Sequence, residues 1–115
     1  MKVYKLDEYT REIKLLDIDG NIETYHRELQ CDCLDFATFA VAPGEFRIIA
    51  IVDDCGAYLR QPTCYYPYLI DRTCFSPCAT SELYGSVIFA RQYEGSPDLS
   101  DIEPHDLVYI KRCMI

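Results

Sequence analysis

Asp19-Gly20-Asn21-Ile22-Glu23-Thr24-Tyr25-His26-Arg27-Glu28-Leu29-Gln30 is the stretch on which the fold turns. Asp-Gly between apolar runs is a strong hairpin signal. The residues that follow keep a different period. Ile22, Tyr25, His26 and Leu29 fall at i, i+3, i+4 and i+7, one face of a 3.6-residue repeat. Asn21 is a competent N-cap, and Glu23 and Glu28 sit on the polar side. Only Thr24, β-branched, speaks against a helix. The spacing predicts a helix over Ile22–Gln30.

Strands flank this helix. Met1–Leu6 carries Val3 and Tyr4, good strand formers, and in Arg11–Ile18 Ile13, Leu15 and, after a slip at Leu16, Ile18 suit a strand with one face buried. Leu34–Val41 resumes extended character, and Ala42-Pro43-Gly44-Glu45 is a turn by composition. Phe46–Val52 (F-R-I-I-A-I-V) is apolar almost throughout, as a strand buried on both faces must be. Leu83–Arg91 reads as a second central strand, with Gly85 marking a bulge or a close backbone approach. Between them Pro62, Pro67 and Pro77 forbid long helices and central strands, leaving room for one helical turn after Pro67. Asp98–Arg112 reads as a terminal helix. Ser100 and Glu103 have capping-box spacing, Pro104 falls near the first turn, and Lys111 and Arg112 suit the negative end of the dipole. The expected architecture is α+β: a small antiparallel or mixed sheet with the two helices packed on one face.

The chain has 115 residues, which predicts one domain. Its formal charge of −8 argues against a direct nucleic-acid binder, which needs a basic face. No apolar run is long enough to span a membrane, and no charged-then-apolar leader opens the chain. The seven cysteines are an odd count, which with no leader points to reduced thiols and a cytoplasmic protein.

Several residue sets invite chemistry. Cys74-x3-Cys78 has a zinc-knuckle spacing, but Cys31-x-Cys33 is too short for the matching half, so small buried hydrophobes are the better reading and no metal or cofactor is expected. A catalytic thiol needs a base, and His26 and His105 show no local Cys–His signature. Asp53-Asp54, at the end of the best strand, is the carboxylate pair most open to catalysis; a plain turn is favoured. No catalytic residue is assigned. Tyr58, Tyr65, Tyr66, Tyr68 and Phe75 cluster in the Pro-rich stretch, either as a recognition surface or as a second small core. From Glu94 to Asp106 the chain holds Glu94, Asp98, Asp101, Glu103 and Asp106 and no lysine or arginine. Exposed, these acids suit a basic protein partner; set in a regular row, they would imitate a phosphate backbone.

The order of elements resembles a family of small domain-of-unknown-function proteins carried by bacterial mobile elements and phages, especially in gut anaerobes. The resemblance runs through Ile18-Asp19-Gly20-Asn21-Ile22-Glu23 entering a helix and Val52-Asp53-Asp54-Cys55-Gly56 ending a central strand. It continues through Tyr84-Gly85-Ser86-Val87-Ile88-Phe89 and Leu99-Ser100-Asp101-Ile102-Glu103. In that family the middle proline is usually accompanied by asparagine; here Tyr68 follows Pro67. The family has no established activity, so the resemblance implies a fold and a habitat. The functional expectation is a non-enzymatic accessory protein of a phage or mobile element that binds a protein partner through Tyr65, Tyr66, Tyr68, Asp98, Asp101, Glu103 and Asp106. The alternatives are an acidic DNA mimic or anti-defence inhibitor, and a small enzyme using Asp53, Asp54 or a cysteine.

Overall fold

A computed structural model describes residues 1–42, 44–66 and 81–115. Their elements are β1 (Lys2–Leu6), β2 (Ile13–Asp17), α1 (Ile22–Leu29), β3 (Leu34–Ala42) and β4 (Phe46–Asp53), then α2 (Gly56–Leu59), β5 (Pro62–Tyr66), β6 (Ser81–Tyr84), β7 (Val87–Tyr93) and α3 (Asp106–Arg112). Five strands form an antiparallel sheet in the order β2-β1-β7-β4-β3, and β5 and β6 pair as a separate ribbon. The mixed α and β content agrees with the sequence reading.

The helix over Asp19–Gln30 forms. Asn21, in extended conformation, accepts the Glu23 amide at 3.1 Å, and Gln30 ends the helix with a left-handed φ of 52°. Gly20, at φ +75°, takes the turn that a hairpin would have used. The buried face is rotated from the expected one. Ile22 is exposed, while Thr24 is buried with its hydroxyl donating to Asp19 Oδ1 at 2.7 Å.

Alternation along the strands splits the core in two. Tyr4, Leu6, Ile48, Ala50, Val52, Val87 and Phe89 face one side of the sheet, where Cys64, Leu83, Ile102, Ile110 and Cys113 cover them. Val3, Ile49, Ile51, Ile88 and Ala90 face the other, under Tyr25 and Leu29 of α1. Fully burying one such isoleucine contributes about 1.5–3 kcal/mol. The helices therefore lie on opposite faces, which corrects the expectation that both cover one. β4 and β7 are apolar on both faces, so each face needs a cover. The β5–β6 ribbon shares the α3 face and leaves the other to α1.

Two further expectations are corrected. Leu83–Arg91 is not one strand. Gly85, at φ +81°, ends β6 so that β7 joins the large sheet, and a Cβ built there would lie 2.9 Å from Arg60 Cγ. The close neighbour of Gly85 is thus the Arg60 side chain rather than another backbone. The terminal helix begins at Asp106, not Asp98. Residues 98–105 spend their backbone bonds elsewhere. Ser100 exchanges amide bonds with Arg91 (3.1 and 2.6 Å), and Ile102 donates to the Lys2 carbonyl at 2.9 Å. Glu103, preceding Pro104, is also biased away from helix. The capping box on Ser100 is not made; the Glu103 amide donates to Asp106 Oδ2 at 3.0 Å instead.

A buried ion pair fastens α3 to the sheet. Arg91 of β7 grips Asp106 with Nε–Oδ2 at 2.7 Å and Nη2–Oδ1 at 2.8 Å. The guanidinium carbon lies 3.7 Å from the Phe46 ring centroid. Bidentate charge-assisted bonds of this kind are short and directional. The expected helical turn after Pro67, and Tyr68, Cys74, Phe75 and Cys78, lie outside the described residues.

Candidate acidic cleft

The sheet brings distant acids together. β1 and β2 pair Lys2 opposite Asp17, which carries the Asp19-Gly20 loop to the start of β1. Segment 100–102 lies against the same place: Lys2 donates its amide to Asp101 Oδ1 at 2.9 Å, and its carbonyl accepts from Ile102. An open cleft of about 810 Å³ results, lined by Asp19, Gly20, Tyr25, Asp98, Asp101 and Glu103 among others, with no lysine or arginine in its described lining.

The four carboxylates differ in what holds them. Asp19 Oδ1 accepts the Asn21 amide at 2.9 Å and the Thr24 hydroxyl. The Asn21 amide first, then the Thr24 hydroxyl, keep its carboxyl below the usual carboxylate range, so it stays ionised. Asp101 is oriented by the Lys2 amide. The side chains of Asp98 and Glu103 make no hydrogen bond or ion pair to any described residue. Met1 is also in the lining, and its amino group donates to Asp17 Oδ1 at 3.1 Å and the Ile18 carbonyl at 2.7 Å.

Tyr25 is the unusual member of the lining. It is 3% exposed, and its ring meets Phe36 edge-on at 6.5 Å. Its hydroxyl is buried and has no hydrogen-bond partner, alone in this among the described side chains. Burial, then the charge of Asp19, push its pKa up, so it keeps its proton. A buried hydroxyl without a partner costs about 1–3 kcal/mol.

The structure thus gathers Asp98, Asp101 and Glu103 and separates the other expected residues from them. Asp106 was expected on an exposed acidic face; it is 0% exposed and bound to Arg91 and the Glu103 amide. It is corrected to a core residue, because the helix starts on it and turns its side chain to the sheet. Tyr65 and Tyr66 are half-buried against the first core cluster, with the Tyr65 hydroxyl donating to the Arg112 carbonyl at 3.0 Å. Of the two readings of the tyrosine cluster, core packing describes these two. Asp19 and Tyr25 were not singled out as cleft residues. Only the β1–β2 register brings Asp19 to the acidic segment, and no local pattern shows that a core tyrosine lacks a partner.

The catalytic alternatives are differently placed. Asp53 accepts from Arg60 Nε at 3.4 Å and from the Cys55 amide at 2.9 Å, while Arg60 Nη1 donates to Glu8 at 2.6 Å. Burial pushes the Cys64 and Cys113 thiols up to about 12, opposite to what a nucleophile needs. Cys31 is raised too, by burial and then Asp53. Among the described residues no three His, Cys, Asp or Glu side chains are grouped to hold a metal ion, and no helix is long and apolar enough to cross a membrane. No family model, curated protein or solved structure matches the chain.

Proposed function

We propose that the protein is a non-enzymatic binding protein, an accessory factor of a phage or mobile element, that engages a basic protein partner through the acidic cleft. The observation that carries this reading is the convergence of Asp98, Asp101 and Glu103 with Asp19 around a concavity whose described lining has no lysine or arginine. Asp98 and Glu103 have no partner to displace, so a basic side chain can form charge-assisted bonds with them without breaking an existing one. The mobile-element habitat rests on the order of sequence motifs. A concave cluster supports partner binding over mimicry, since a duplex presents its phosphates as a convex row with a repeat of about 3.4 Å per strand.

The test is affinity capture from host extract with the wild-type chain and with the Asp98→Asn, Asp101→Asn, Glu103→Gln triple variant, at low and high salt. A basic protein retained by wild type, released by salt and lost by the variant is the expected result. Equal capture by both chains at both salt concentrations overturns the reading.

A further inference from the structure

We infer that the wall of the cleft formed by Asp19 and Tyr25 is the seat for one lysine ammonium of the partner. The inference rests on the proposed acidic-cleft function and adds the recognised group.

Four carboxylates line the cleft, so an anionic ligand is excluded and a cation favoured. Charge alone does not say which cation or where. Tyr25 does. Its hydroxyl is the single buried side-chain polar group among the described residues left without a hydrogen-bond partner; Tyr25 lines this cleft, and its hydroxyl feels the charge of Asp19, another lining residue. Buried polar groups are almost always paired, and an exception at a cleft wall points to a partner that arrives with a ligand. The hydroxyl keeps its proton, so its lone pairs can accept from an N–H donor while Asp19 supplies the opposite charge.

The recess favours ammonium over guanidinium. An ammonium is a compact point charge with three donors on a flexible four-carbon stem, able to reach a single recessed acceptor. A guanidinium is a planar fork that prefers an in-plane carboxylate with both oxygens open. Asp19 offers no such edge, because its Oδ1 already holds Asn21 and Thr24. Asp98 and Asp101, at the exposed rim, remain to attract any neighbouring basic residue.

The experiment is a titration of the 15N-labelled full chain at low salt, followed by two-dimensional NMR. The probes are end-blocked hexalysine, hexaarginine and n-butylamine. Hexalysine is expected to shift the amides of Gly20, Tyr25 and Asp101 and to bind several-fold more tightly than hexaarginine. Tyr25→Phe, whose spectrum reports its folding directly, is expected to lose about tenfold for hexalysine and nothing for hexaarginine. Asp19→Asn provides a second variant with the same expected loss of lysine preference. Hexalysine binding to Tyr25→Phe and Asp19→Asn as tightly as to wild type, or hexaarginine binding the tighter, overturns the lysine seat and leaves the acidic-cleft reading standing. Failure of both peptides to bind wild type overturns both. Saturation by n-butylamine at lower concentration than hexalysine overturns a polypeptide as the source of the amine.

Discussion

Replacing Asp106 by alanine removes one half of the buried pair and leaves the other charged. Arg91 is 5% exposed and keeps its charge at any pH the protein survives. The carboxylate takes two bonds from Arg91, at 2.7 and 2.8 Å, and one from the Glu103 amide at 3.0 Å. All three are lost, and the guanidinium is left with His105 Nε2 at 3.0 Å, the Tyr93 hydroxyl at 3.4 Å and the Phe46 ring, but no opposite charge. Breaking a buried pair in this way costs about 3–5 kcal/mol. Small domains are stable by only about 5–15 kcal/mol, so the variant should lose between a fifth and all of its stability. Replacing both partners, Arg91→Met with Asp106→Leu, leaves no orphan charge and should restore most of the loss. The difference between the double and the summed single variants is the coupling of the pair. The assay is urea unfolding followed by far-UV circular dichroism, since the chain has no tryptophan to report by fluorescence. A loss under about 1 kcal/mol for Asp106→Ala, or a double variant as weak as the single, would refute the pinning of α3 by this pair.

Other outcomes follow from particular residues. Tyr25→Phe should raise stability by about 1 kcal/mol in the same assay, because it removes an unsatisfied hydroxyl and keeps the ring; a loss of that size would mean the hydroxyl has a partner. Gly85→Ala should destabilise by more than about 1 kcal/mol, since φ is +81° and Arg60 Cγ stands 2.9 Å from the new methyl; an unchanged urea midpoint would contradict it. With a thiol reagent at pH 7, Cys33 and Cys55 should react at once, whereas Cys64 and Cys113 should wait for unfolding, as their pKa of about 12 requires. Asp19, lowered from 3.8 by the Asn21 amide and the Thr24 hydroxyl, adds stability that is present above that value and fades as pH falls below it. Asp19→Asn should therefore flatten the acid limb of the stability–pH curve, and a limb of unchanged slope would show that the contacts do not bias ionisation.

The parts of the fold that could be read from the sequence were those settled by neighbours. Asn21 caps α1 through a bond two residues away, and β4 announces itself by a run too apolar for any surface. The boundaries missed were set by distant partners. Ser100 and Glu103 carry a good capping spacing, yet Arg91 and Lys2 claim that backbone first. Leu83 and Val87 belong to one apolar run, but Thr63 accepts the bend between them by donating to the Gly85 carbonyl at 2.8 Å. The same limit applies to the cleft. Three of its acids stand together in sequence, while Asp19 and Tyr25 enter only through sheet register. Asp106 shares the acidic segment and differs from it wholly in environment, because one carboxylate in that row meets a buried arginine.

The bond from the Lys2 amide to Asp101 spans 99 positions of the chain. A wall of the cleft and the strand it leans on are therefore made at opposite times in the growth of the polypeptide. The nascent chain displays Asp19 and Tyr25 long before it has the acids that complete their surroundings. Contacts so far apart in sequence close slowly and late. Removing residues 96–115 would spare the sequence of β1–β7 and take Asp98, Asp101 and Glu103 from the cleft.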